Sequence, residues 1–368
     1  MEIVQIIRNF ATGGAERFAI DLSNRLYLDG HKVTIIRFFD DADQNILESE
    51  INEGVKIVTI QKKPGFDFSL IFRVHKFLKK LKPDIVHTHL NAFNYCFLSY
   101  FISRKTKYFH TLHSMPVNEA INKVDLSIKK LIFKSGIVNP ISISDEVHQE
   151  SLMLYGSKVH LIYNGRVEPK RSNLFPEVNE LVKKIETKDN IPVIINIGSF
   201  KEAKNQKMLI EAINEINENG TKVKLIVLGN PASGKDYDRM TKLANLEHIH
   251  FLGMVNNPTD YMFAADFFCL SSLWEGMPIS LIEAFATHCL AISTPAGGVK
   301  SMIKDGFNGL ITTDFDKENL KLKIIEALEL SVDSKRKIEE NAFTEFISKF
   351  SIEQCAVEHT KLYESKCS

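Results

Sequence analysis

Short, β-branched apolar runs alternate along this chain with longer stretches whose apolar residues return every three or four positions. In the first half the short runs are Ile3–Ile7, Val33–Phe38, Lys56–Ile60, Ile85–Thr88, Tyr108–Leu112, Pro140–Ile143 and His160–Tyr163. In the second half they are Val193–Ile197, Lys224–Leu228, His250–Leu252, Phe267–Leu270, Ala291–Ser293 and Gly309–Thr312. Runs of this kind predict strands, and the intervening 3.6-residue periodicity predicts helices. Strict strand–helix alternation implies parallel sheets covered by helices, and two such sets imply two doubly wound, Rossmann-like domains. The polar, proline-bearing Val167-Glu-Pro-Lys-Arg-Ser-Asn173 is the best boundary, dividing residues 1–167 from 168–350. Ligands of open parallel sheets bind beyond the carboxyl ends of the strands. With two such sheets face to face, the expected site is a cleft between the domains.

Composition narrows the class. Apolar residues make up 44% and charged residues 25% of 368 positions, ordinary for a globular chain. No apolar run reaches the roughly 18 residues of a spanning helix; Phe93–Ile102 comes nearest. A start directly in the strand Glu2-Ile-Val-Gln-Ile-Ile7 predicts no signal peptide. Five scattered cysteines without a C-x-x-C pair predict reduced thiols and a cytoplasmic protein. The formal net charge of zero conceals a basic segment: residues 56–134 carry 15 Lys and Arg against 4 Asp and Glu, a net of +11. One reading of this segment is solvated helix faces; the sharper one is a surface resting on the anionic inner face of a membrane. Nucleic acid is not expected, since no aromatic–basic or helix-turn-helix pattern accompanies the charge.

The densest chemistry lies in Ser271-Ser-Leu-Trp-Glu-Gly-Met-Pro-Ile-Ser-Leu-Ile-Glu-Ala284. Here Gly276 favours a tight turn and Pro278 suits the first helical position. The free N–H groups of Met277, Ile279 and their neighbours at such a helix start would hold a phosphate. Ile279, Ile282 and Ala286 form an i, i+3, i+7 stripe, and Glu283 fills its i+4 slot. A carboxylate on a core-facing stripe needs donors, and a ribose diol supplies two. Phosphate at the helix tip and diol one turn inside predict a nucleotide site.

This segment resembles the E-x7-E signature of retaining glycosyltransferases of the GT-B fold, family 4, with Glu275 and Glu283 as its two glutamates. The resemblance extends to Gly13-Gly-Ala-Glu-Arg17, Thr111-Leu-His-Ser114, Ile143-Ser-Asp-Glu146, Tyr163-Asn-Gly165, Ile197-Gly-Ser-Phe-Lys-Glu-Ala-Lys-Asn205, Gly297-Gly298 and Asp305-Gly-Phe-Asn-Gly309. It implies transfer of a sugar from a nucleoside-diphosphate sugar, UDP-sugar first, to a glycan or lipid-linked acceptor in cell-surface polysaccharide synthesis. It also implies a final helix, residues 351–368, packed back on the first domain. The nucleotide sugar is a substrate, and no cofactor is implied. Its base would lie against backbone loops such as Leu228-Gly-Asn-Pro-Ala-Ser233. By the same resemblance Gly14 and Ser199 contact the donor, Lys204 neutralises the diphosphate, and Glu275 binds sugar hydroxyls from the far side. His113 orients the transferred sugar or polarises its reacting centre. Retention would proceed by front-face attack, and Lys204 with the helix tip would replace a metal.

His87, His89 and His110 read as satisfied strand-end histidines and not as a metal site. The chain departs from the family at Ser199, where arginine is usual, and at His288 and Leu290, where glycine and proline are usual. Ser301 is nearest to where a glutamate often follows the glycine pair. Alternatives on the same fold are a nucleotide-sugar epimerase or hydrolase and a non-catalytic nucleotide-sugar-binding protein. A dinucleotide oxidoreductase would need G-x-G-x-x-G after the first strand, which Asn9-Phe-Ala-Thr-Gly-Gly14 does not supply.

Overall fold

The computed structural model describes residues 1–11, 13–40, 45–103, 105–156, 158–187, 190–229 and 234–367. The chain divides into two compact units, Met1–Val167 with Lys349–Ser368, and Glu168–Ser348.

The first unit is built on seven parallel strands: β1 Glu2–Ile6, β2 Lys32–Arg37, β3 Lys56–Thr59, β4 Ile85–His89, β5 Lys107–Leu112, β6 Val138–Ser142 and β7 His160–Leu161. Their order is β3-β2-β1-β4-β5-β6-β7. The second unit carries β8 Val193–Ile197, β9 Lys224–Leu228, β10 Ile249–Gly253, β11 Phe267–Leu270, β12 Leu290–Ser293 and β13 Leu310–Ile311, ordered β10-β9-β8-β11-β12-β13. Each apolar run of the sequence thus becomes a strand, displaced by at most a few residues at its ends. In both sheets the chain starts in the middle, runs to one edge and returns to fill the other. The reversal falls between β1 and β4 in one sheet and between β8 and β11 in the other. Loops that leave adjacent strands in opposite directions open a crevice there, so each sheet has one switch point.

Six helices carry or support the candidate residues: α1 Gly14–Leu28, α2 Phe68–Leu81, α3 Phe97–Ile102, α4 Lys123–Ser135, α5 Ile279–Ala286 and α6 Ile352–Cys367. In α1, Phe18, Leu22 and Leu26 repeat every four residues and are buried against the sheet. Asp67 caps α2 by accepting from Leu70 N, and Leu70, Val74 and Leu78 form its buried stripe.

The last helix, α6, belongs to the first unit. Its Ile352, Cys355, Ala356 and Tyr363 join the core made by β1, α1 and their neighbours. The chain enters it by a pair of backbone bonds, Arg166 N to Phe350 O at 2.9 Å and Ile352 N to Arg166 O at 3.0 Å. Arg166 also pairs with buried Asp21 of α1 at 2.6 Å. Close approach is allowed by Gly165, where a Cβ would stand 2.6 Å from Cys355 Cβ and 2.8 Å from Ile352 Cα. Neither neighbour is a flexible tip that can swing away. Gly165→Ala is therefore expected to destabilise the first unit by about 1–3 kcal/mol. Denaturant unfolding checks this, together with faster proteolysis within residues 351–368.

Candidate functional site

The second unit gathers its candidate residues at the switch point of its sheet. The loop after β8 carries Ser199 and ends in a 3₁₀ turn, Glu202–Lys204; the loop after β11 carries Glu275 and leads into α5. Backbone and side chains fasten the two loops together. Leu273 N donates to Ala203 O at 2.8 Å, and Ser271 Oγ donates to Lys204 O at 3.0 Å. Across this seam Lys204 Nζ donates to Glu275 Oε1 at 2.6 Å. Ser272 Oγ donates to the same oxygen, also at 2.6 Å. The Gly297-Gly298 turn reaches the same place, with Gly298 N bonded to Glu275 O at 3.2 Å.

The loop bearing Ser199 is held from behind. Gln206 Nε2 donates to Gly198 O at 3.3 Å and to Ser199 O at 3.1 Å, which orients both carbonyls. Gly229, after β9, has φ +153°, and a Cβ there would lie 1.9 Å from Gly198 O. Only glycine permits that approach of two strand-end loops. The rest of the loop expected to face the base, residues 230–233, lies outside the described residues.

Two local expectations for the signature segment need correction. Pro278 is not the first helical residue but the N-cap, with extended ψ of 116°; its carbonyl accepts from Leu281 N and Ile282 N. The chain does bend at Gly276–Met277, without a left-handed φ at Gly276. Burial on α5 is not a stripe: Leu281, Ala284 and Phe285 are as buried as Ile282 and Ala286, while Ile279 is only half-buried. The short helix is sunk in the unit, so burial of Glu283, at 5% exposure, follows from depth and not from one face. Met277 and Gly276 are buried beside it. At the far end of α5, His288 takes the left-handed position, φ 55°, and Cys289 N closes on Ala284 O at 3.0 Å. Glycine is the unstrained residue for such a cap; here the imidazole stacks on Phe343 at 4.4 Å instead.

Two D-x-D triplets stand in this unit, Asp236-Tyr-Asp238 and Asp314-Phe-Asp316. The second is used in a helix cap: Asp316 Oδ1 accepts from Glu318 N, and Asp314 accepts from Asn319 and Asp316 N. Among the described residues no group of three His, Cys, Asp or Glu is arranged to hold a metal.

The first unit contributes Gly14 and His113. Gly14 opens α1, and Gly13 is its N-cap. The Glu16 carboxylate folds back over this turn, 2.2 Å from where a Gly13 Cβ would be, and burial raises its pKa. His113 follows β5, half-buried, in a loop clamped by Glu119, whose Oε1 accepts from His113 N and from Ser114 N. Glu119 also meets His110 Nε2 at 3.4 Å, and its carbonyl accepts from Lys129 Nζ at 2.8 Å. Sequence reasoning missed Glu119, Ser272 and Gln206: Ser272 lies inside the signature segment and Gln206 just past Asn205, but nothing local shows which partner either side chain finds, and Glu119 has no motif around it.

The histidines are satisfied as expected, but as an array. His87 bonds Tyr363 OH and Thr111 Oγ1, both at 2.7 Å. His89 bonds Gln5 Oε1 at 2.8 Å and His113 at 3.0 Å, and His110 bonds Thr88 Oγ1 at 2.9 Å. His359 of α6 stacks on His87 with centroids 5.6 Å apart. Burial, reinforced by the neighbouring imidazoles, pushes His87 and His89 well below the ordinary histidine range, and burial pushes His113 down to about 4. All three are neutral at pH 7.

Comparison with known proteins agrees with this geometry. Residues 177–345 match the model for glycosyl transferases group 1, and residues 12–166 match that for glycosyltransferase family 4. An alpha-1,4-N-acetyl-D-galactosaminyltransferase of Campylobacter jejuni, named for a diphospho-undecaprenol-linked acceptor, is 26% identical over 331 residues, 88% of either chain. A second C. jejuni galactosaminyltransferase, also named for a diphospho-undecaprenol acceptor, is 26% identical over 351 residues, 91% of this chain and 92% of that one. HepE of Anabaena, solved with UDP and glucose, superposes with a TM-score of 0.81 at 20% identity, covering 99% of this chain and 100% of that one. With two glycosyltransferase models together spanning most of its length and a fold shared with solved glycosyltransferase structures over 99% of the chain, it belongs to the family 4, group 1 glycosyltransferases of the GT-B fold.

Proposed function

We propose that this glycosyltransferase moves a sugar from UDP-sugar to a lipid-linked glycan, with retention and without a protein-held metal, in the assembly of a cell-surface polysaccharide. The observation that carries the donor assignment is the cluster at the β8–β11 switch point. A cation, Lys204, and a carboxylate, Glu275, meet beside the start of α5, with Glu283 buried one turn in. A nucleotide sugar presents complementary groups in that order: an anionic diphosphate for Lys204 and the helix-start amides, hydroxyl donors for Glu275, and a ribose diol for Glu283. Gly14 and Ser199 approach the donor with backbone, and Ser199 adds a hydroxyl where the family usually has a cation. His113 orients the transferred sugar. Glu275 Oε1 already accepts from Lys204 and Ser272. A carboxylate so engaged is a weak nucleophile, which favours a binding role and front-face retention over a covalent intermediate.

The acceptor assignment draws on the C. jejuni relatives, both named for undecaprenol-linked acceptors. The first unit offers a surface for a lipid phase that keeps part of the basic segment, whose runs would set Leu78, Leu81, Leu131 and Phe133 into the interface. Leu78 and Phe133 are core residues, and Lys129 is buried on Glu119; Arg104 lies outside the described residues. Leu131 of α4 is exposed, as are Phe68 and Phe72 of α2 and Phe97 and Phe101 of α3, with Lys79, Lys80 and Lys134 exposed on α2 and α4. Helices α2 and α3 pack together, and Phe97 and Phe101 touch with ring centroids 5.2 Å apart. Among the described residues no helix is long and apolar enough to cross a membrane. The enzyme then works as a peripheral protein on the anionic inner leaflet, inserting aromatic side chains between lysines.

Glu283→Ala is expected to leave the fold intact and weaken UDP binding by about 10- to 100-fold, the worth of a hydrogen bond to a charged group. Calorimetry measures it, and unchanged affinity would exclude the ribose role. Transfer is expected to persist in EDTA; loss of activity that magnesium restores would return a metal to the mechanism. Co-sedimentation with vesicles containing anionic lipid is expected at low salt and to weaken as salt rises. Phe72→Ser with Phe101→Ser, or Lys79→Glu with Lys80→Glu, should each release the protein. Binding that neither pair alters would exclude this surface.

A further inference from the structure

His113 is one end of a hydrogen-bonded chain that runs through the buried interior of the first unit, and the chain has a direction. Its other members are His89 on β4 and Gln5 on β1, both fully buried. Gln5 Oε1 stands 2.8 Å from His89 Nε2. A carbonyl oxygen only accepts, so His89 carries its proton on Nε2. His89 is neutral, since burial and the adjacent imidazoles of His113, His110 and His359 all disfavour a second proton. Its Nδ1 is therefore bare. That bare nitrogen lies 3.0 Å from His113 Nε2, which must donate. His113, neutral as well, then has no proton on Nδ1.

The surroundings hold the rings in place. Tyr363, kept protonated by burial, can donate to His87 Nδ1 at 2.7 Å, and His87 Nε2–H to Thr111 Oγ1 at 2.7 Å. Phe18 sets its edge against both His89 and His113, at 6.0 and 5.8 Å, and confines the two rings. Glu119 fixes the His113 backbone from the other side. A ring so held does not exchange its nitrogens by flipping.

We infer that Gln5 and His89 are positioning residues that lock His113 in the Nε2–H tautomer, so that its Nδ1 offers a lone pair to the ligand. His113 thereby accepts a hydrogen bond from a sugar hydroxyl and does not donate one to an ether, phosphate or carboxylate oxygen. This rests on the proposed role of His113 and sharpens it: the group recognised is a hydroxyl donor. A donor sugar whose hydroxyl at that point is replaced by an acceptor alone loses the contact.

The direct test is long-range ¹H–¹⁵N correlation on histidine-labelled enzyme at neutral pH, with His113 and His89 assigned through His113→Asn and His89→Asn. Protonated Nε2 with bare Nδ1 is expected on both rings. A proton on Nδ1 of His113 would mean that Gln5 is turned the other way and the chain reversed, and would overturn the inference. The functional arm is Gln5→Met, similar in volume but without the acceptor. It should blur the His113 tautomer signal and lower kcat roughly tenfold, with the KM for the nucleotide sugar unchanged. Unaltered kcat with a blurred signal would overturn the positioning role. Should Gln5→Met fail to fold, the spectrum of the unmodified enzyme decides alone. His113→Ala at full kcat, with the expected tautomer seen, would instead refute the role proposed for His113 and leave the hydrogen-bond direction standing.

Discussion

A cation and a carboxylate held together at the carboxyl end of a parallel sheet govern the second unit. Lys204 and Glu275 sit on loops from β8 and β11, the two strands at which the sheet reverses. At 25% and 11% side-chain exposure they are partly withdrawn from water, so losing either partner leaves the other poorly solvated. The pair cross-links the two loops that the backbone bonds of Leu273 and Ser271 already join, and it sets the geometry at the head of α5. It also defines what can replace it. An entering group must give Lys204 an anion and Glu275 a hydrogen-bond donor together, or the exchange costs more than it returns. The proposed donor satisfies both demands in one molecule, a diphosphate followed by a polyhydroxylated ring.

In the first unit the governing constraint is burial of imidazoles. Four rings, His359, His87, His89 and His113, stand in a row with neighbouring centroids 4.5 to 5.6 Å apart. Such crowding is tolerable only if all stay neutral, because like charges at this spacing in a dry interior repel strongly. A neutral imidazole has one donor and one acceptor, so His89, bonded to Gln5 on one nitrogen and to His113 on the other, passes the choice of tautomer from one to the other. Part of that row, with Tyr363 beside it, comes from α6, which ties the conformation of the β4 and β5 ends to the docking of the last helix through Gly165. Glu119 and Lys129, buried together under the His113 loop, complete the support.

The two sheets can be read strand by strand from the chain alone. Strand periodicity is local, and all thirteen short runs become strands in two doubly wound sheets. The motif loops after β1, β5, β8 and β11 are legible for the same reason, since a glycine pair or two glutamates eight apart stand out without knowledge of partners. Which polar groups meet is settled only by folding. Lys204 and Glu275 are 71 residues apart, and Gln5 and His89 are 84 apart. Nothing in either neighbourhood signals the other. Charge and periodicity are also poor proxies for burial. Lys129 stands in a basic run that reads as solvated, yet it lies 1% exposed on the Glu119 carbonyl, and α5, patterned as one buried stripe, is enclosed nearly all round. Sequence records how a segment repeats along its own axis; the depth at which it lies, and the partner its polar atoms find there, depend on elements folded in from distant parts of the chain.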